Sequence, residues 1–330
     1  MKSSFGKLKS CFGAILLLLT ASAGANWKAP REALVLRKVD GDFRIFDAAV
    51  GDVAMFARNR APQVIAIRLS DEDVERLSTQ FQLANLLYSK NLGLIEPLKS
   101  EKFRQAQFID VHLLPMTERM GESGDSVVTY QYRQFPSPTS ALTISISSRW
   151  QPGNLTPEHE LFHTYQYAYT YFKNSWFLEG LARSVQGWFN PEKEQAQVKV
   201  QGQMLPSDIA ALNALLHMSY TAAPFWTRLR WLCDPSCEVA PSQKIEITKK
   251  AACGAPFIKD VLEKFQVADQ QAAIARGIKT NQWTEKEQRA SENNSWMLGA
   301  LSKAITHQCP VSSNSELMEF DRLINPHQSP

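Results

Sequence analysis

Residues 156–183 read TPEHELFHTYQYAYTYFKNSWFLEGLAR. Within them, His159-Glu160-Leu161-Phe162-His163 forms the pattern HExxH. Histidines four apart on a helix lie on one face, about one turn from each other. Two neutral imidazoles so placed can reach one tetrahedral zinc ion at roughly 2.0–2.1 Å. Glu160 is offset around the helix by one residue, so it is a poor ligand. It can still reach a water at the ion, whose pKa zinc lowers towards about 7. Glu160 is therefore the candidate general base, and the same carboxyl could pass the proton on to a leaving amine. Thr156 is read as the helix N-cap, and Pro157 suits the first helical position.

A catalytic zinc keeps one position open and needs three protein ligands. Glu179 is the candidate third, 16 residues beyond His163 and near the start of the next helix. Lys173-Asn174-Ser175 can turn the chain back between the two. Gly180 lacks a side chain where the second helix must approach the first closely. Arg183, one turn past Glu179, offers either a surface ion pair or a partner that orients that carboxylate. The tyrosines and tryptophans around the motif, among them Tyr165, Tyr167, Trp176 and Trp188, read as packing between the two helices.

Ahead of the motif the chain reads as strand-rich. The runs at 33–39, 42–46 and 63–69 are β-rich and separated by Gly, Asp and Pro. Ser70 followed by three acids predicts a helix start, and the apolar spacing carries that helix to about Ser89. A further helix is expected around 95–106, then a strand over 107–114. Residues 126–132 and 141–147 alternate with the two-residue period of half-buried strands. The latter reads either as an edge strand beside the motif helix, where an extended peptide could dock, or as an ordinary strand within the sheet. After residue 175 the pattern turns helical, over 175–189, 207–232, 256–265, 269–278, 291–307 and 316–324. The motif helix therefore stands at the seam between a strand-rich part, 26–174, and a helical part, 175–330.

The first 25 residues have a basic start (Lys2, Lys7, Lys9), an apolar run from Phe12 to Leu19, and small residues at Ala21–Ala25. This is the pattern of a signal peptide, with cleavage after Ala23 or Ala25. The apolar run is short for a bilayer span, so no stable membrane insertion is expected after cleavage, and the mature chain is expected to be secreted or periplasmic. The formal charge of +3 comes from the three leader lysines; without them 33 basic side chains face 33 acidic ones. That balance gives no electrostatic case for nucleic acid or anionic lipid as a partner. Four cysteines follow the leader: Cys233, Cys237, Cys253 and Cys309. In an exported chain they suggest two disulfides. Cys233 with Cys237, leaving Cys253 with Cys309, is one of three connectivities.

HELFH at 159–163 with WFLEGLA at 176–182 resembles the gluzincin zinc metallopeptidases, the thermolysin-like group whose third ligand is a glutamate on a following helix. The pair looks most like the bacterial peptidase-MA-like branch, with HExxH and then W-x-x-E-G-x-A. The likeness covers residues 141–189 and extends weakly to 220–229, where Trp226 replaces a phenylalanine. It implies an α+β fold of thermolysin-like type: a strand-rich lobe carrying the HExxH helix, a mainly helical lobe carrying the third ligand, and a cleft between them. It implies a zinc cofactor on His159, His163 and Glu179, and a peptide or protein substrate. A zinc peptidase also needs a donor for its oxyanion. In gluzincins this is a Tyr or His of the second lobe, so Tyr220 is the first candidate and His217 the second.

Three departures narrow the likeness. A metzincin would continue HExxHxxGxxH, but Gln166 and Tyr169 occupy those positions. The G-x-M-E-N amine anchor of gluzincin aminopeptidases is missing, and Ser140–Ser147 is read in its place, which favours an endopeptidase. Thermolysin has an Asp where this chain has Arg183, so the group that steadies His159 is not identified. Two other functions fit the sequence. One is a gluzincin-like binding or scaffold protein with an unproductive metal site. The other is an amidase acting on cell-wall material.

Overall fold

The structure, a computed structural model, describes residues 27–49, 68–190, 205–235, 252–279 and 282–325. The signal-peptide reading, most of the run at 63–69, and Cys237 lie outside these residues.

A short helix α1 (Lys28–Glu32) leads into a hairpin of β1 (Val35–Asp40) and β2 (Phe43–Asp47). Gly41 turns it with φ +56°, a conformation that favours glycine. Helix α2 (Asp71–Leu86) begins as expected: the Ser70 side chain accepts from Asp73 N, and three acids fill the first turn. Val74, Leu77, Phe81, Ala84 and Tyr88 are all buried along it and the π-turn that continues it. The helix expected near 95–106 is instead two single 3-10 turns, Pro97–Lys99 and Glu101–Phe103. Pro97 removes a donor and fixes φ where a longer helix would have to run.

Four more strands complete one sheet: β3 (Phe108–Leu114), β4 (Gly121–Ser123), β5 (Val128–Tyr130) and β6 (Thr139–Ser147). Their order is β1-β2-β3-β6-β4, with β5 also on β6. β2, β3 and β6 run parallel, and β1, β4 and β5 are antiparallel to their neighbours. The strand at 141–147 is thus not an edge. It lies between β3 and the short pair β4 and β5, and β4 is the edge strand on that side. β3 and β6 are buried almost throughout. Their Ile109, Val111, Leu142, Ile144 and Ile146 join the main core. The alternate residues Asp110, His112, Thr143 and Ser145 face the other side, where Tyr132 meets Asp110 and His112, Tyr130 meets Thr143, and Arg31 of α1 meets Ser145.

The motif helix is α3 (Thr156–Tyr169), followed by α4 (Ser175–Gln186). Its N-cap residue is Leu155 and no side chain caps it; the carboxamide of Asn154 accepts from Thr156 N instead. Thr156 is already the first helical residue. The two helices run antiparallel, since Gln186 Nε2 donates to Leu155 O at 2.8 Å. The stretch 207–232 is not one helix. It breaks into α5 (Ile209–Leu216), a 3-10 turn at Tyr220–Ala222, and α6 (Ala223–Cys233). Conversely, 256–278 is a single helix, α7 (Ala255–Arg276), ended by Gly277 at φ +67°. Helices α8 (Glu285–Gln288), α9 (Asn293–Gln308) and α10 (Ser315–Ile324) follow.

Gly180 does permit a close approach, but to the 3-10 turn and the start of α6 rather than to α3: a Cβ there would lie 2.8 Å from Ala222 Cβ and 3.1 Å from Trp226 Cδ1. Beside it Trp176 and Trp226 stack at 5.5 Å and 4°. This contact seats α4 on the helical part of the chain. Cys233 is bonded to Cys309, which links the ends of α6 and α9. The pairing of Cys233 with Cys237 and of Cys253 with Cys309 is therefore not formed; Cys253 is itself disulfide-bonded. Closing a loop of 76 residues restricts the unfolded chain by about 4 kcal/mol in the entropic view. Among the described residues no helix is long and apolar enough to cross a membrane.

Candidate metal centre

Helical periodicity brings the two histidine rings together at 4.6 Å between centroids, nearly perpendicular. Glu179, from α4, sets Oε2 3.2 Å from His159 Nε2 and 3.4 Å from His163 Nε2. One ligand atom from each of the three residues lies within 4.8 Å of the others. Ligands at 2.0–2.1 Å from a tetrahedral ion are about 3.3 Å apart, so the two measured separations suit one shared ion. Two imidazole nitrogens and one carboxylate oxygen are a donor set for a divalent cation, with a fourth position left over. The histidines are buried, while the Glu179 side chain keeps 23% exposure, so the group opens to solvent on its α4 side.

Glu160 sits in contact with β4, the edge strand. The Ser123 hydroxyl lies 2.8 Å from Glu160 Oε2 and 2.6 Å from its main-chain oxygen, and can donate to either. Gly121 makes the approach possible: a Cβ there would lie 2.5 Å from both Glu160 Cγ and Thr156 Cγ2. Burial pushes the Glu160 carboxyl up to about 7. Burial also pushes His159 down to about 4, against the pull of Glu179. Burial would raise Glu179 as well, but the two histidine rings beside it outweigh burial and hold that carboxyl below the ordinary range.

Tyr220 is brought to the group. The 3-10 turn between α5 and α6 lays its ring over His159 at 5.6 Å and 29°, with the residue 56% exposed. Burial and then the Glu179 carboxylate beside it push the phenol upwards. His217 is turned away, its Nδ1 donating to Asn213 O. Arg183 does not pair with Glu179; it donates to Gln186 Oε1 at 2.8 Å. The Tyr220 ring is what stacks against His159, a role the sequence does not indicate. Tyr165 and Trp176 are buried, but against other helices rather than between α3 and α4: Tyr165 donates to Asn85 of α2, and Trp176 donates to Asn294 of α9 and stacks on Trp226 of α6. Tyr167 also touches the group, stacked on His163 at 6.0 Å.

The residues that sequence reasoning missed are Gly121 and Ser123. From sequence, 141–147 is the strand offered as a possible edge beside the motif helix, whereas β4 is the edge strand that meets Glu160. The signal was there in weak form: Gly121-Glu122-Ser123-Gly124 is a short polar run between two strand patterns. No family model matches the chain, and no curated protein or solved structure matches it.

Proposed function

We propose that this chain is an exported, zinc-dependent metallopeptidase of the gluzincin type, acting within peptide chains. In this reading the fold is a thermolysin-like pair of lobes meeting at α3 and α4. The observation that carries it is the approach of Glu179 Oε2 to both histidines, with Glu160 held beside them by Ser123. His159, His163 and Glu179 would hold the ion, and zinc would supply Lewis acidity towards water and a peptide carbonyl.

The chain's own groups do the rest. Glu160, buried and poised near neutrality, takes a proton from the attacking water and delivers it to the leaving nitrogen. Tyr220, exposed over His159, donates to the oxygen that gains charge in the transition state. Among the described residues β4 pairs only with β6, so its other edge is free for an extended substrate beside Glu160. Asp125, two residues beyond β4, pairs with Lys173 at 2.8 Å. It is not a free carboxylate for a substrate's terminal amine, which favours cleavage within chains.

The test is to purify the mature chain, measure bound metal, and assay a broad peptide library. Glu160→Gln should keep stoichiometric zinc and lose about 10²–10⁴-fold in turnover. His163→Ala should lose both. A parent that carries zinc yet cleaves nothing would sink the peptidase reading. A parent that binds no metal would sink the site.

A further inference from the structure

Gln166, one turn past His163 on α3, is 1% exposed. Its Nε2 lies 3.2 Å from Leu178 O and 3.5 Å from Phe177 O, in the first turn of α4. Its Oε1 lies 2.8 Å from His163 Nδ1. Main-chain carbonyls only accept, so the end of the amide that faces two of them is the NH2 group. The end facing His163 is then the oxygen, which also only accepts. Nδ1 of His163 must therefore carry a proton, and in the neutral ring the lone pair is on Nε2. Nε2 is the atom 3.4 Å from Glu179 Oε2, where the three donors converge.

We propose that Gln166 is a positioning residue that presets neutral His163 as an Nε2 ligand and ties it to the peptide unit just before Glu179. The word ligand rests on the metal-site reading above; the tautomer does not. The physical gain is twofold. A neutral His163 with its proton on Nδ1 has none on Nε2 to give Glu179, so the two do not close on each other in place of an ion. One amide also spans α3 and α4, so two of the three donors are fixed relative to each other by side-chain and main-chain geometry rather than by the ion. Partners of this kind change metal affinity by about 10–100-fold when removed.

The test uses the mature chain stripped of metal, with ¹⁵N-labelled histidine. Long-range ¹H–¹⁵N spectra are recorded at alkaline pH, where the imidazoles are neutral, and His163→Ala assigns the signal. The parent should show His163 protonated on Nδ1. Gln166→Leu should shift it towards the Nε2–H form and weaken zinc binding, measured by chelator competition, about 10–100-fold. Gln166→Glu keeps an acceptor towards Nδ1 but loses the donors to α4, so it should keep the tautomer while zinc binding weakens. Should Gln166→Leu not fold, Gln166→Asn, too short to reach both partners, replaces it with the same expectations. An Nε2–H signal in the parent, or a Gln166→Leu variant with unchanged tautomer and zinc affinity, overturns the proposal. A parent that shows the Gln166-dependent Nδ1–H form but binds no zinc upholds the clamp and overturns the metal reading instead.

Discussion

Two clusters of histidine, carboxylate and tyrosine lie on opposite sides of the same sheet. On the side of α3, His159, His163 and Glu179 point their acceptor atoms at one place, with Tyr220 exposed above them. On the side of α1, Arg44 grips Asp110 with two bonds of 2.7 Å, and Tyr132 donates to the same carboxylate at 2.6 Å. His112 Nε2 meets the Tyr132 hydroxyl at 2.6 Å. Since the phenol proton goes to Asp110, the histidine must donate there, and its Nδ1 is left buried with no partner. The lesson is that residue types do not make a site. In the closed cluster the carboxylate is neutralised by Arg44, and the free imidazole nitrogen is buried with no hydrogen-bond partner among the described residues. In the open cluster, hydrogen bonds to Gln166 and Ser123 hold the side chains from behind, and the ligating atoms converge.

The comparison can be broken where the two clusters should respond differently. Asp110→Ala leaves Arg44 buried without its carboxylate, a loss of about 3–5 kcal/mol in chemical denaturation. Zinc affinity of the folded variant should stay at the parent value. A loss below 1 kcal/mol would mean that the closed cluster is not the structural element described here. Tyr220→Phe should do the reverse: unchanged stability and zinc content, with turnover of a cleaved peptide down roughly 10²-fold. Full activity in that variant would remove Tyr220 from the mechanism.

Ser123→Ala removes one hydrogen bond to Glu160, worth about 1.5–3 kcal/mol when the acceptor is charged. The expected result is a fall in kcat with KM and bound metal unchanged; a change in KM alone would make Ser123 a substrate contact. The smallest effect is a slope. Burial, then the charges of Arg31 and Arg44, hold His112 well below its ordinary value of 6.5. A depressed histidine contributes stability that is present above the unfolded value and lost as pH falls below it, because only the unfolded state takes up the proton. Unfolding free energy should therefore drop more steeply below pH 6.5 in the parent than in His112→Gln, as followed by denaturant titration at several pH values. Parallel slopes would show that His112 titrates freely.

Much of this was legible before any coordinates. HExxH and Glu179 are readable because helical periodicity is local, and α4 follows α3 after a short connection. The cap at Ser70, the apolar face of α2 and the strands at 108–114 and 139–147 follow from equally local signals. What failed did so where a neighbour in space decides. Strand 141–147 fits an edge or an interior place equally well from sequence, because pairing is not written in the strand itself. The helix expected at 207–232 breaks at Ser219, and that break is what puts Tyr220 over His159. Cysteine spacing leaves three pairings open, and only the folded chain brings Cys233, at the end of α6, to Cys309, just past α9.

The sequence by itself marked the candidate ligands, the candidate base, the order of elements and the strand-to-helix change near residue 174, because each is carried by periodicity and spacing along a short stretch of chain. The tertiary structure alone decided which strand lies beside Glu160, which histidine nitrogen keeps its proton, and which of two similar polar clusters stays open. Those depend on contacts across 12 to 66 residues: Gln166 to the carbonyls of α4, Ser123 to Glu160, and Arg44 to Asp110. Such contacts form only once the sheet and helices have closed, so no local pattern in the chain announces them.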